Sequence, residues 1–174
     1  MTDLYYAYTE REKSHEMLFH ILKTYRGLTA EERDLTFNEN GKPSLGADYP
    51  YFSITHTTGL VMVALSDRPV GIDAEKTGRK LSGYRALTER FFAEEERLKI
   101  GSDFDFLAVW TKKESAVKFF GGDVTAWLSR IVFDGDSPKG TDALSGATTV
   151  TRRLGEYVYS VTSLEPAGRP LLLL

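Results

Sequence analysis

Residues 69–76 read PVGIDAEK and follow the apolar run LVMVAL, residues 60–65, after a short turn. Two such segments on either side of a turn predict adjacent β-strands, the second beginning near Val70. On a strand, Asp73 and Glu75 share one face, about 6.6 Å apart along the backbone. The sequence therefore predicts a strand that directs two carboxylates toward one place.

Two carboxylates about 4 Å apart repel each other by on the order of 4 kcal/mol at an effective dielectric constant of about 20. A divalent cation reverses the sign of that energy, and ligands that are all oxygen suit Mg²⁺. The alternative is an exposed edge strand that carries two solvated acids. Because Asp-x-Glu is short and common by chance, this motif alone favours the alternative.

A helix predicted over residues 102–120 adds a third carboxylate. At about 100° per residue, its residues Leu107, Trp110, Glu114 and Val117 fall on one side. Glu114 thus lies among apolar neighbours, where an unpaired carboxylate is unfavourable. Lys118 follows one turn later, so the alternative is an ordinary Glu–Lys helix pair worth a few tenths of a kcal/mol.

Strand-like and helical segments are partly segregated along the chain and fall into two roughly equal parts. This pattern predicts an α+β fold rather than a doubly wound parallel sheet. We place the halves at about residues 1–68 and 69–174, within one domain. Ser102 is the predicted N-cap of the helix before Gly121, and a break is expected near Ala93 in the helix that precedes it.

The composition excludes several classes of protein. The 174 residues carry a net charge of −3 and no cysteine, so the chain lacks the basic excess of nucleic-acid binders, a thiolate nucleophile and any Cys-based metal site. No apolar run approaches a membrane span, and the first residues have no apolar signal core. We expect a cytoplasmic protein with no nucleic-acid or membrane partner.

Three further features are ambiguous when each is taken alone. Lys42 stands in a turn beside Pro43, which predicts an ammonium held at a fixed place on the surface; a solvated lysine is the alternative. His56 ends an alternating strand, and a lone histidine is more often structural than catalytic. The acidic run EEE, residues 94–96, is most often a solvated helix face.

Taken together, five segments of the chain resemble the 4'-phosphopantetheinyl transferase superfamily, in particular its pseudo-dimeric type that activates peptide synthetases. Their order and spacing between residues 41 and 118 agree with that family. The segments are GKP at 41–43, FSITH at 52–56, VGIDAEK at 70–76, RFFAEEE at 90–96 and WTKKESAVK at 110–118.

The resemblance implies two similar α/β halves packed about a pseudo-two-fold axis, with coenzyme A bound between them. It implies Mg²⁺-dependent transfer of the 4'-phosphopantetheine arm to a Ser hydroxyl of an acyl or peptidyl carrier protein, releasing 3',5'-ADP. The catalytic residues would be Asp73, Glu114 and Lys118. By matching position, the metal ligands would be Asp73, Glu75 and Glu114, with Glu96 as a possible further acid, and the coenzyme contacts would be Lys42, Thr55, His56 and Lys118.

In this interpretation a carboxylate takes the proton of the Ser hydroxyl, and Glu114 is the candidate because its partly apolar setting raises basicity. A metal-bound water is the other candidate. Glu16 stands where relatives often carry Arg, and the part before the first helix is short. These departures slightly favour one alternative, a degenerate relative that binds coenzyme A or a carrier protein without catalysis, although the intact Asp-x-Glu and Glu-x-x-x-Lys motifs argue against it. A Mg²⁺-dependent phosphodiester hydrolase is a third interpretation. The chain looks long enough for both halves, so we expect a monomer.

Overall fold

A computed structural model describes residues 1–78 and 83–173. Its first half contains one long helix and a β-hairpin. The helix ends at Gly27, whose left-handed backbone (φ 65°) glycine adopts without steric strain. The elements, in chain order, are β1 (Thr2–Ala7), a 3₁₀ turn (Arg11–Lys13), α1 (Ser14–Arg26), β2 (Thr36–Phe37), β3 (Pro43–Ser44), β4 (Tyr51–Thr57) and β5 (Leu60–Ser66).

The second half begins with the strand that carries PVGIDAEK. The predicted helix cap is present, because Ser102 Oγ accepts a hydrogen bond from the Asp105 amide at 3.2 Å. The predicted helix break near Ala93 is also present. The elements are β6 (Val70–Lys76), α2 (Tyr84–Phe91), α3 (Glu94–Arg97), α4 (Asp103–Phe120), α5 (Val124–Trp127), β7 (Val132–Asp134), β8 (Ser137–Lys139), β9 (Thr148–Leu154), β10 (Tyr157–Ser163) and β11 (Ala167–Leu172).

The same strand arrangement occurs in both halves. The first sheet has the order β11-β1-β5-β4 and the second the order β6-β10-β9. In each half, the last strand of a hairpin pairs antiparallel with the first strand of that half, β5 with β1 and β10 with β6. A helix covers each of these sheets, since α1 packs against β5 and α4 against β6 and β10. The α+β class predicted from the sequence is confirmed.

Gly71 allows helix α4 to lie directly against the backbone of β6. A Cβ atom placed on Gly71 would be 2.0 Å from the Ser115 carbonyl oxygen and 2.4 Å from the Phe119 amide nitrogen. No side chain larger than hydrogen fits there without moving the helix. This contact fixes the distance between the strand that carries Asp73 and the helix that carries Glu114.

The apolar end of the sequence, for which no structure was predicted, forms β11 and pairs in parallel with β1. The chain therefore returns to the first sheet after completing the second, while the division near residue 68 stays a prediction. Among the described helices, none is long and apolar enough to cross a membrane.

Candidate active site

Strands β4 and β6 lie side by side where the two sheets meet, and side-chain hydroxyls join them. The Ile72 amide donates to Ser53 Oγ at 3.1 Å, and the Ala74 amide donates to Thr55 Oγ1 at 3.2 Å. These hydroxyls accept hydrogen bonds from amides on the outer edge of β6, which no other strand of its sheet covers. This contact between β4 and β6, called the seam below, holds Asp73 between the two halves.

Asp73 is 4% exposed, so the alternative of two solvated acids on an open edge strand is wrong for this residue. One of its oxygens, Oδ1, accepts hydrogen bonds from Lys118 Nζ at 2.7 Å and from Thr55 Oγ1 at 3.1 Å. The other oxygen, Oδ2, is buried and has no hydrogen-bond partner in the described part of the chain. A buried carboxylate oxygen in this state is unfavourable by about 1–3 kcal/mol or more.

Glu114 projects from α4 into the neighbourhood of the same carboxylate. Burial, followed by the nearby negative charge of Asp73, raises the pKa of Glu114 from 4.5 to about 7, and the charge of Glu75 adds to this shift. The positive charge of Lys118 and, less strongly, a hydrogen bond with Trp110 act in the opposite direction. Asp73 and Glu75 thus influence Glu114 electrostatically, while the metal-ligand role of these three residues stays a prediction.

Lys118 is the cation of this group. Burial by itself would lower the pKa of Lys118, but Asp73 and then Glu114 more than offset that effect and raise the pKa above its usual value. Its ion pair is with Asp73, and this pair joins helix α4 to strand β6. The alternative of an ordinary Glu114–Lys118 helix pair therefore does not account for the position of this ammonium.

The donor set fits Mg²⁺ in its chemistry. It consists of carboxylate oxygens, one of them orphaned. Burial is the main cause of the raised pKa of Glu114, and a divalent cation would relieve the repulsion from Asp73 that adds to it. Within residues 1–78 and 83–173, however, no three His, Asp or Glu side chains converge closely enough to form a ready-made metal site. Lys118 already neutralises part of the charge at Asp73, so the carboxylates would have to draw together around a cation.

Lys42 lies in the predicted turn, but its ammonium points inward instead of toward the surface. It donates to the carbonyl oxygens of Lys118 at 2.6 Å, Phe119 at 2.8 Å and Val70 at 3.3 Å. Burial lowers the pKa of Lys42 to about 8. The sequence did not predict these contacts, and a contact between Lys42 and coenzyme A stays a prediction.

His56 is exposed at the end of β4, next to this group. Burial of part of the ring, then the positive charges of Arg11 and Lys118, lower the pKa of His56. Arg11 lies in the 3₁₀ turn before α1 and was not singled out in the sequence. The position of Arg11 in the sequence does not predict that it lies near His56, because only the packing of this turn against β5 brings the two together.

Glu96 is buried, contrary to the solvated helix face expected for residues 94–96. Its carboxylate pairs with Lys113 Nζ at 2.8 Å and accepts a hydrogen bond from the Ala93 amide, also at 2.8 Å. Lys113 is fully buried and also donates to the carbonyl oxygens of Leu128 and Ile131. Glu96 therefore belongs to a separate ion pair, and it does not contribute to the pKa shift of Glu114.

A cavity of about 240 Å³ opens beside the group, between the turn of the first half and the end of α4. Lys118 forms part of its wall, together with Ser53 and Ile54 from β4. Gly41, Lys42 and Pro43 of the GKP turn also line it. The cavity thus joins the seam that holds Asp73 to a recess large enough for part of a small ligand.

Comparison with known proteins identifies the family. The sequence model of the 4'-phosphopantetheinyl transferase superfamily matches residues 69–161, which is more than half of the chain. The chain belongs to the 4'-phosphopantetheinyl transferase superfamily. The matched segment contains β6, α4 and most of β10, and hence Asp73, Glu75 and Glu114.

Three curated relatives of this superfamily extend the comparison. The 4'-phosphopantetheinyl transferase gsp of Aneurinibacillus migulanus is 36% identical over 90 residues, which are 48% of this chain and 36% of that protein. The 4'-phosphopantetheinyl transferase psf-1 of Bacillus pumilus is 28% identical over 163 residues, 87% of this chain and 64% of that protein. The 4'-phosphopantetheinyl transferase AcpT of Salmonella typhi is 30% identical over 102 residues, 54% of this chain and 52% of that protein. The chain thus spans between 36% and 64% of the length of these superfamily members.

Proposed function

We propose that this chain transfers the 4'-phosphopantetheine arm of coenzyme A to a Ser hydroxyl of an acyl or peptidyl carrier protein. The observation that carries the proposal is the buried carboxylate of Asp73, which shares Lys118 with Glu114 and leaves Oδ2 without a partner. Membership of the superfamily supports the choice of reaction. The Ser oxygen forms a bond to the phosphorus that bears the pantetheine arm, the pyrophosphate P–O bond breaks, and 3',5'-ADP leaves.

Asp73, Glu75 and Glu114 would hold Mg²⁺, which when bound neutralises negative charge on the pyrophosphate. Lys118 supplies a positive charge next to Asp73 and can turn toward a phosphate oxygen, because its side chain remains 28% exposed. Thr55 orients Asp73 through its hydroxyl, since it accepts from the Ala74 amide and donates to Oδ1. These residues bind and orient the diphosphate of the donor.

Glu114 is the proposed acceptor of the Ser proton. A group with a pKa of about 7 is well matched to proton transfer near neutral pH. Mg²⁺ held by the same carboxylates would favour the ionised form of Glu114, which is the form that accepts a proton.

The coenzyme would lie along the seam, with its nucleotide part in the recess beside Lys118. His56 is exposed at the end of β4 and has Arg11 nearby, so both can approach a phosphate of the donor. We further propose that the two halves are related by a pseudo-two-fold axis, in keeping with the repeated strand order, and that one cytoplasmic chain builds the complete cleft as a monomer.

The decisive experiment incubates the protein with coenzyme A, Mg²⁺ and a panel of purified carrier proteins. Transfer adds one phosphopantetheine to the carrier, which intact-protein mass spectrometry detects, and releases one 3',5'-ADP per carrier. Release of 3',5'-ADP without any carrier would favour the phosphodiester hydrolase. Binding of coenzyme A with neither product would favour the relative that binds without catalysis. The same panel identifies the carrier, which the sequence does not name.

A further inference from the structure

The turn of residues 38–42 closes over the C-terminal end of helix α4. Besides the three bonds from Lys42, the side-chain amides of Asn38 and Asn40 donate to the Gly121 carbonyl oxygen at 2.8 and 2.9 Å. The turn is itself tied together, because Asn38 Oδ1 accepts from the Asn40 and Lys42 amides at 3.0 and 2.8 Å. A segment of the first half thus binds the helix of the second half.

The helix end needs such partners. The last four carbonyl groups of an α-helix have no partner within the helix, and they form its negative pole. The Lys42 ammonium and the two amides satisfy three of the carbonyls around this end, those of Lys118, Phe119 and Gly121. Position 121 must lack a side chain for this approach, since a Cβ atom there would lie 2.7 Å from Asn38 Nδ2.

The Lys42 ammonium also reaches the beginning of β6. Its third bond goes to the Val70 carbonyl, three residues before Asp73, while its shortest bond goes to the Lys118 carbonyl. A single cation therefore joins the backbone of the two elements whose side chains form the Lys118–Asp73 ion pair. A lysine ammonium has three N–H donors, and all three have an acceptor here.

We propose that Lys42, together with Asn38 and Asn40, is a positioning device that sets the end of α4 against β6 and thereby holds Lys118 on Asp73. Lys42 acts through Lys118 and leaves the phosphates of the donor to other residues, because its donors are already used. The effect on rate rests on the proposed transferase function, whereas the effect on the position of Lys118 does not.

His56 provides a test of position that requires no substrate. Its pKa is lowered by burial, Arg11 and Lys118 and raised by Asp73, and Lys42 is not among the charges that act on it. In Lys42→Met, which keeps the aliphatic stem, displacement of Lys118 from Asp73 changes the pKa of His56, because both of these charges act on it. NMR titration of the imidazole measures this shift, with the signal assigned by its loss in His56→Gln. Lys23→Met, on the exposed side of α1, is the matched control and leaves the pKa unchanged.

Kinetics separate positioning from coenzyme binding. The positioning role predicts that Lys42→Met lowers kcat by at least about tenfold with the KM for coenzyme A nearly unchanged, since displaced catalytic groups reduce rates by up to about 10²-fold. A raised KM with kcat intact and an unchanged His56 pKa would overturn the proposal in favour of direct contact with the coenzyme. If Lys42→Met does not fold, Asn40→Ala replaces it and predicts a smaller shift of the His56 pKa in the same direction; no shift there overturns the proposal as well. If the wild type transfers nothing, the proposed function fails while the titration still decides the positioning role.

Discussion

Lys118 Nζ binds one oxygen of Asp73 at 2.7 Å, and the second oxygen of this buried carboxylate faces no hydrogen-bond donor in residues 1–78 and 83–173. The ion pair therefore neutralises the charge of Asp73 without satisfying all of its acceptors. Glu96 Oε1, in the buried pair with Lys113, is likewise without a partner in this part of the chain, so an orphaned oxygen does not by itself mark a ligand site. At Asp73 it leaves a free acceptor beside Lys118 and Glu114, where an added cation or donor could bind.

Replacing Asp73 tests the dependence on metal. Asp73→Asn keeps the shape and the Thr55 contact but removes the charge, so we expect transfer to be lost and Mg²⁺ binding, measured by calorimetry, to weaken strongly. The exposed Asp67→Asn is the control and should retain both properties. Full activity of Asp73→Asn, or of the wild type in excess chelator, would contradict the metal role.

Glu114 predicts a pH-dependent stability in the absence of metal. Because the pKa of Glu114 is about 7 in the folded protein and its ordinary value is 4.5, protonated Glu114 contributes stability that is fully present below about pH 4.5 and is lost as the pH rises through about 7. Glu114→Gln removes this loss. The free energy of unfolding of the variant, relative to the wild type, should therefore rise by up to about 3 kcal/mol between pH 5 and pH 8. Urea unfolding with chelator present measures the difference, and exposed Glu12→Gln is the control. A difference that does not change with pH would refute the assignment.

The same variant separates the two roles of Glu114. Loss of a general base lowers kcat by about 10²–10⁴-fold, and saturating Mg²⁺ restores only the part due to weaker metal binding. Recovery of wild-type kcat at saturating Mg²⁺ would mean that Glu114 is a ligand alone, with a metal-bound water as base. Full activity at ordinary Mg²⁺ would remove Glu114 from the mechanism.

Gly71→Ala tests the contact between α4 and β6. With the added Cβ only 2.0 Å from the Ser115 carbonyl oxygen, the helix must move away, and overpacking of this kind typically lowers stability by about 1–3 kcal/mol or more. Transfer activity should fall further, because Glu114 and Lys118 move with the helix. Gly101→Ala is the control, since its nearest neighbour is 3.7 Å away. Equal unfolding midpoints for the two variants would show that the close contact at Gly71 does not determine the stability of the fold.

The buried Glu96–Lys113 pair should behave as a unit. Lys113→Met leaves an uncompensated buried carboxylate and is expected to reduce the free energy of unfolding by about 3–5 kcal/mol, whereas the double variant Glu96→Leu/Lys113→Met should recover most of it. Lys139→Met breaks an exposed pair with Asp134 and should change stability by less than about 1 kcal/mol. Additive effects in the double variant would argue against a coupled pair.

A monomer is expected in solution if one chain contains both halves of the cleft. Light scattering should give the mass of a single 19.5 kDa chain, and the specific activity should not change on dilution. A trimer whose activity disappears on dilution would show instead that neighbouring chains complete the site.

Local signals in the sequence predicted much of the fold. The Ser102 cap, the stop at Gly121 and the break near Ala93 all depend on residues close in the chain, and each is present. The spacing of Asp73 and Glu75 predicted two carboxylates on one strand face, and the family resemblance added Glu114; their role as a metal site stays a prediction. The fate of Lys42 could not be predicted, because its partner carbonyls lie up to 77 residues away. Glu96 and Lys113 could not be predicted as a buried pair, because only the packing of the helices brings them together. Strand β11 could not be predicted, because its apolar residues do not alternate with polar ones.

The parallel pairing of β11 with β1 has a consequence for how the chain folds. Thr2 pairs with Ala167, so an outer strand of the first sheet comes from residues that a ribosome adds after the whole second half. Such distant pairing raises the contact order, which slows folding. Until residues 167–172 emerge, one side of β1 is an unpaired strand edge, which is a template for association with other chains. Pairing with β11 therefore covers this side of β1, and the outer edge of the first sheet becomes that of β11.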